Sequence, residues 1–165
     1  MEQLKKFWAF LKEDTWQSWV VSLVLLVIVI RLIIFPTLSL LTGSPLPLVV
    51  IESCSLYHDA GFNDWWNKNA AWYGTKDITK DDFSLYPYKN GLNKGDIIFV
   101  WGRSKYQIGD IIIFEPNPDS FAPHPIIHRI VAIDPIGTKG DNNPTQLTRD
   151  ANSQRIDETN IPEER

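Results

Sequence analysis

Three side chains able to attack a carbonyl stand together in this chain. They are Ser53, Cys54 and Ser55, within VVIESCSLYHDA over 49–60. A hydroxyl needs a neighbouring base to take its proton, and a neutral imidazole suits that task near neutral pH. The imidazole in turn needs a carboxylate that fixes its tautomer and stabilises its charged form. The histidines are His58, His124 and His128. His128 lies inside an apolar run, IIHRIVAID over 126–134, where a histidine is ordinarily just a packed or surface-facing one. Asp141 follows on a tight loop, TKGDNNP, with Asp150 and Asp157 further on. Spacing alone leaves a Ser–His–Asp set open, because most chains of this length contain all three residue types. His124 and His128 have the spacing of a metal pair on a helix, but Pro123 and Pro125 forbid that helix. No metal or other cofactor is expected.

Period-two alternation bears on the choice of nucleophile. Residues 49–52 read as a buried strand, and adjacent strand residues face opposite sides. If Ser53 and Ser55 face a cleft, Cys54 faces the core, where free cysteines usually lie. With one cysteine the chain has no internal disulfide and no CxxC metal site.

The elements that must position these groups divide sharply in character. Trp19 to Ile30 carries no charge, and Thr15 to Phe35 has a single one, Arg31. A bilayer core of about 30 Å needs about 20 helical residues. The stretch 15–41 is therefore read as a membrane helix and its exit segment. Arg31 would snorkel near one end, Pro36 would block further helix, and Trp16 and Trp19 would mark the other interface. Lys5, Lys6 and Lys12 precede the span, whereas no Lys or Arg lies between Arg31 and Lys68. The positive-inside rule then puts the N-terminus in the cytoplasm and the rest outside. Residues 1–14 are read as a cytoplasmic interfacial segment, with Phe7, Trp8, Phe10 and Leu11 on its apolar side. The net charge of −4, without a basic run, argues against a nucleic-acid partner.

From Pro45 the texture changes. LPLVVIE, DIIFVWG, DIIIFEP and IIHRIVAID are short runs rich in Ile, Val and Phe, bounded by turn residues. They predict a mostly β, barrel-like domain over 45–165. The GDII pattern at 95–98 and 109–112 reads as two hairpin-linked strand starts. Residues 59–93 read as an insert, rich in Trp and helical over about 62–73. A second helix would be opened by Thr79 in a capping box that lacks its Glu. The insert's aromatic residues could pack among themselves, dip into the membrane surface, or cover the site.

The order of these features resembles the type I signal peptidases, most closely their archaeal and endoplasmic-reticulum branch. An apolar span with an outer Arg comes first. Then follow Ser-x-Ser-hydrophobic at 53–56, the GDII strands, His128-Arg129-Ile130, and Lys139-Gly140-Asp141-Asn142-Asn143. The resemblance covers roughly 19–58 and 91–157. It implies that Ser55 is the nucleophile, that the Ser53 hydroxyl and the Ser55 N–H bind the oxyanion, and that His128 is the base. The family's methionine position is Leu56 here, which keeps the apolar volume. For the acid the order is Asp150, then Asp141, then Asp157, with Asp141 as a loop-holding alternative.

The implied function is a single-pass serine endopeptidase of the cell membrane, with its catalytic domain extracytoplasmic. It would remove signal peptides from secretory preproteins, and it would work among membrane lipid with the translocation machinery as a candidate partner. The alternative is a non-catalytic or differently specific tethered relative acting as a processing accessory.

Overall fold

The computed structural model describes residues 1–162, so residues 163–165 of the expected 45–165 domain lie outside the described residues. The chain forms two compact units. One takes in Met1–Val49 with Phe99–Ser104, and the other takes in Val50–Ile98 with the chain from Lys105 onward.

The first unit is dominated by helix. Helix α1 spans Glu2–Leu11 and α2 spans Trp16–Val29, the latter opened by Thr15, whose hydroxyl accepts from the Ser18 N–H. The helix does not stop before Pro36 as expected. It passes through a π turn over Ile30–Ile34 into α3, Phe35–Thr42, with Pro36 in the first turn of α3. A proline lacks an N–H and its ring crowds the carbonyl one turn back. The wider π turn just before it accommodates both defects. Gly43 ends the helix in the left-handed conformation at φ +70°. The Arg103 guanidinium then donates from Nε to the Leu41 carbonyl at 3.0 Å, and from Nη2 to that of Leu40. Trp16–Thr42 is long and apolar enough to cross a membrane, by length and composition.

The strands are fewer and shorter than a mostly β reading requires. Strand β1, Leu48–Val50, pairs with β2, Ile97–Phe99. Strand β4, Ile126–Ile133, lies antiparallel between β3, Ile111–Phe114, and β5, Ile136–Lys139. The result is a mixed helix-and-strand chain with two small antiparallel sheets, and no closed barrel forms among the described residues. Both GDII segments do start strands, β2 and β3, but in different sheets. Each start is the same turn: a glycine at φ +97° followed by an Asp whose carboxylate caps a backbone N–H three residues back.

The insert supplies the main core. Helix α4 spans Phe62–Gly74 and α5 spans Lys80–Leu85. The capping box of α5 is complete, because Asp82 takes the role expected of Glu. Trp65, Trp66, Tyr73, Ile78 and Phe83 pack together with Val131 of β4. Self-packing is therefore the outcome for the insert's principal aromatics. Trp65 is 1% exposed at the centre of the cluster, and we expect Trp65→Ala to lower unfolding free energy by about 3–5 kcal/mol. Chemical denaturation of the full chain in detergent micelles checks this.

Candidate functional site

Strand β4 is buried on both faces at its centre, so His128 and Arg129 point oppositely yet neither reaches water. Residue 128 sits opposite Ile112 of β3, and residue 129 opposite Lys139 of β5. Each buried polar group of β4 must find a partner, and each finds a carboxylate.

His128 Nδ1–H donates to Oε1 of Glu158. Glu158 is fully buried, and its two oxygens are held separately. The Thr138 hydroxyl donates to Oε1 at 3.3 Å and the Leu147 N–H to Oε2 at 2.6 Å. Its backbone is tied as well: Thr138 N–H and Gln146 Nε2 donate to the Glu158 carbonyl, and Glu158 N–H donates to that of Leu147. With Nδ1 protonated by this contact, Nε2 is the free acceptor of the ring.

That nitrogen faces Gly140. A Cβ placed on Gly140 would stand 2.9 Å from His128 Nε2 and 2.9 Å from the Ser55 carbonyl oxygen. Only the missing side chain lets the imidazole, the loop and the serine segment approach so closely. The loop is also fastened to that segment by hydrogen bonds. Asn142 N–H donates to the Ser55 carbonyl at 2.8 Å, and Asn142 Nδ2 to that of Cys54 at 3.1 Å.

Ser55 is half-buried. Its Oγ lies 2.9 Å from Ser53 Oγ, and its N–H donates weakly to Ser53 Oγ at 3.4 Å. The two expected oxyanion donors are thus engaged with one another, and Ser55 makes no hydrogen bond to His128. Leu56 is buried, as its apolar role required. Cys54 is exposed, contrary to the core-facing expectation. Strand β1 ends at Val50, so residues 53–56 bend and turn and strand alternation does not apply to them.

None of the three expected aspartates bonds to the His128 ring among the described residues. Asp150 is exposed on a turn and has no side-chain partner among the described residues. Asn152 closes that loop, donating to the carbonyls of Thr148 and Ile156 and accepting from the Ile156 N–H. The chain is thereby turned back, and Glu158 is the carboxylate delivered to the ring. Asp157, its neighbour, faces away and accepts from Thr159. A signal for Glu158 was available in the alternation of IDETNI, where Ile156 and Glu158 share the buried side.

Asp141 serves the opposite face of β4. Its carboxylate receives Arg129 Nε at 2.9 Å and Nη2 at 2.8 Å, His58 Nε2 at 3.1 Å, and the Tyr73 hydroxyl at 3.2 Å. Burial alone would raise its pKa. The Arg129 charge, with hydrogen bonds from His58 and Arg129, outweighs burial and holds it at about 2. Asp141 therefore holds the loop and does not touch His128. His58 is stacked on Trp65 at 3.8 Å between ring centroids, which links this ion pair to the aromatic core.

Two consequences are measurable. Asp141→Asn leaves Arg129 buried without its anion, so we expect a loss of roughly 3–5 kcal/mol in stability. The pKa falls from 3.8 unfolded to about 2 folded, so its contribution is fully present above the unfolded value. It is lost as pH drops through that window, on the order of 2 kcal/mol in all. In denaturation between pH 5 and 2, the stability gap between wild type and Asp141→Asn should therefore narrow by about 2 kcal/mol on acidification.

No group of His, Cys, Asp and Glu suited to a metal ion occurs among the described residues. No protein-family model matches the sequence, and no solved structure matches it. The chain is similar to the signal peptidase complex catalytic subunit SEC11 of Komagataella phaffii, 32% identical over 91 aligned positions. The alignment takes in 45% of this chain and 52% of that protein, so the chain spans about half the length of the curated relative it matches.

Proposed function

From the resemblance of this chain to the type I signal peptidases of the endoplasmic-reticulum branch, we propose that it is a membrane-anchored serine endopeptidase that processes signal peptides. The observation that carries the reading is the ordered contact series Glu158, His128, Gly140, Ser55. Trp16–Thr42 is the anchor, with the N-terminus cytoplasmic and the catalytic unit outside. Secretory preproteins are the substrates, and membrane lipid surrounds the span.

The chemistry follows from the groups in hand. Ser55 Oγ leaves Ser53 and turns to His128 Nε2, which takes its proton as Oγ bonds to the scissile carbonyl carbon. Such contacts commonly tighten only when substrate is bound. The released Ser53 hydroxyl and Ser55 N–H then serve the oxyanion. The imidazolium is stabilised by Glu158 and returns the proton to the leaving amine. Water, deprotonated by the same ring, then frees Ser55 from the acyl group.

One observation stands on the side of a non-catalytic accessory, namely the bond of Ser55 to Ser53 in place of His128. Incubation of the full chain in proteoliposomes with a preprotein separates the two readings. Release of a mature product with a single new N-terminus, abolished in His128→Ala, supports the peptidase. An intact preprotein with a folded wild-type chain supports the accessory.

A further inference from the structure

The site loop carries a buried cation that the chemistry above leaves unused. Lys139, at the end of β5, is fully buried. Its Nζ donates to the carbonyl oxygens of Gly140 at 3.0 Å and Asp141 at 3.3 Å. The same ammonium stands 5.0 Å from the ring centroids of Trp72 and of Tyr73, both on α4. No carboxylate forms a salt bridge with it among the described residues, so its donors are spent on backbone. Buried ammonium groups are costly unless such contacts hold them. The backbone held is the one that faces the site: Gly140 against His128 and Ser55, and Asn142 bonded to the Ser55 and Cys54 carbonyls.

We propose that Lys139 is a positioning residue: its ammonium curls the Gly140–Asp141 backbone against the Trp72–Tyr73 end of α4, and so holds the loop that sets Ser55 against His128. The proposal deepens the peptidase reading, on which its kinetic readouts rest. It also gives this end of the aromatic insert a task, as the platform on which the loop is pinned. Lys139 is not itself the base, because its amine is bonded to loop carbonyls and not to Ser55.

The charges that act on this ammonium are Asp141 from the loop, Glu158 from the C-terminal segment and Arg129 from β4, and the Tyr73 ring of α4 lies against it. Lys76 lies 5.9 Å from the centroid of the Trp72 ring that Lys139 also faces. Burial is the largest influence and lowers the Lys139 pKa, Asp141 and Glu158 oppose it, and Arg129 adds to it. The balance is about 8, against 10.5 unfolded. A lysine whose folded pKa is depressed does not weaken the fold on losing its proton. From this group alone, stability rises as pH goes from about 8 toward 10.5. The neutral amine still has a donor for each of the two carbonyls, but it loses the charge that strengthens both bonds and holds it over the Trp72 and Tyr73 rings, so activity should fall over a range where this group does not lower stability.

The test compares wild type, Lys139→Met and Lys139→Arg as full chains in detergent micelles. Three quantities are read: amide hydrogen exchange at Asn142, kcat and KM for a preprotein, and the pH profile. Lys139→Met should speed Asn142 exchange by about 10-fold and lower kcat by about 10- to 100-fold, with KM within about 2-fold. Lys139→Arg, which keeps charge and reach, should recover kcat to within about 3-fold and lack the fall above about pH 8. Unchanged Asn142 exchange and unchanged kcat in a folded Met variant would overturn the proposal. If the Met variant does not fold, the Arg variant decides: an alkaline fall that persists in it overturns the proposal, and its disappearance supports it. A wild-type chain that cleaves nothing would defeat the peptidase reading alone, because the Asn142 exchange still tests Lys139.

Discussion

Replacement of Ser55 by Ala is expected to lower preprotein cleavage by about 10⁴-fold or more while the domain stays folded. The substitution removes one half-buried hydroxyl, hydrogen-bonded to Ser53 Oγ at 2.9 Å, so little stability is at stake. What it removes chemically is the atom that would carry the acyl group. Cys54→Ala, next to it, is expected to cleave within about 2-fold of wild type. Cys54 is exposed, and a thiol is intrinsically the better nucleophile, so exposure favours it over Ser55. What distinguishes Ser55 is its partners. The Ser55 carbonyl and His128 Nε2 meet across Gly140, whereas Cys54 meets the loop through its carbonyl, which accepts from Asn142 Nδ2. Cleavage that survives Ser55→Ala and disappears in Cys54→Ala would reverse the assignment.

Glu158→Gln is expected to lower kcat by about 10²- to 10⁴-fold, with KM little changed. Glutamine is nearly isosteric and can still accept from the Leu147 N–H. It cannot supply the charge that stabilises the imidazolium, and its amide end can donate toward the ring and favour the wrong tautomer. Asp150→Asn, in contrast, should stay within about 2-fold of wild type, because that side chain is exposed on a turn. Steady-state kinetics on the two variants checks both. A large loss in Asp150→Asn with none in Glu158→Gln would restore the order expected from sequence.

Much of this site could be read without coordinates because it depends on local chemistry. His128 falls on a strand because Ile and Val flank it. The two GD turns start strands because glycine takes φ +97° and the next aspartate caps the turn. Thr79 and Asp82 cap α5 as their spacing suggests. What escaped depends on distant groups or on where one element stops. Strand β1 ends at Val50, three residues before Ser53, so strand alternation does not extend to Cys54, which turns outward. Pro36 does not end the helix, because a π turn before it absorbs the ring.

The carboxylate on the His128 ring depends on contacts that are not local. Glu158 reaches His128 only because its own segment lies beside β5, through Thr138 N–H to Glu158 O and Ile161 N–H to Ile136 O. The intervening loop must also be folded out of the way by Asn152. Neither condition is local. The insert shows the same limit. Its aromatic richness was evident, but that Trp65, Tyr73 and Phe83 pack beneath Arg129 and Asp141 follows from tertiary structure. The His128 face and the aromatic core are consequently two sides of one strand.

The central claim is that Ser55 is the nucleophile activated by His128. Covalent labelling with a serine-directed phosphonate, followed by peptide mapping of the full chain, tests it most directly. The account predicts stoichiometric adduct on Ser55 in wild type and none in His128→Ala. Adduct on Ser53 or Cys54, or cleavage of preprotein by a chain that never labels at Ser55, would contradict it.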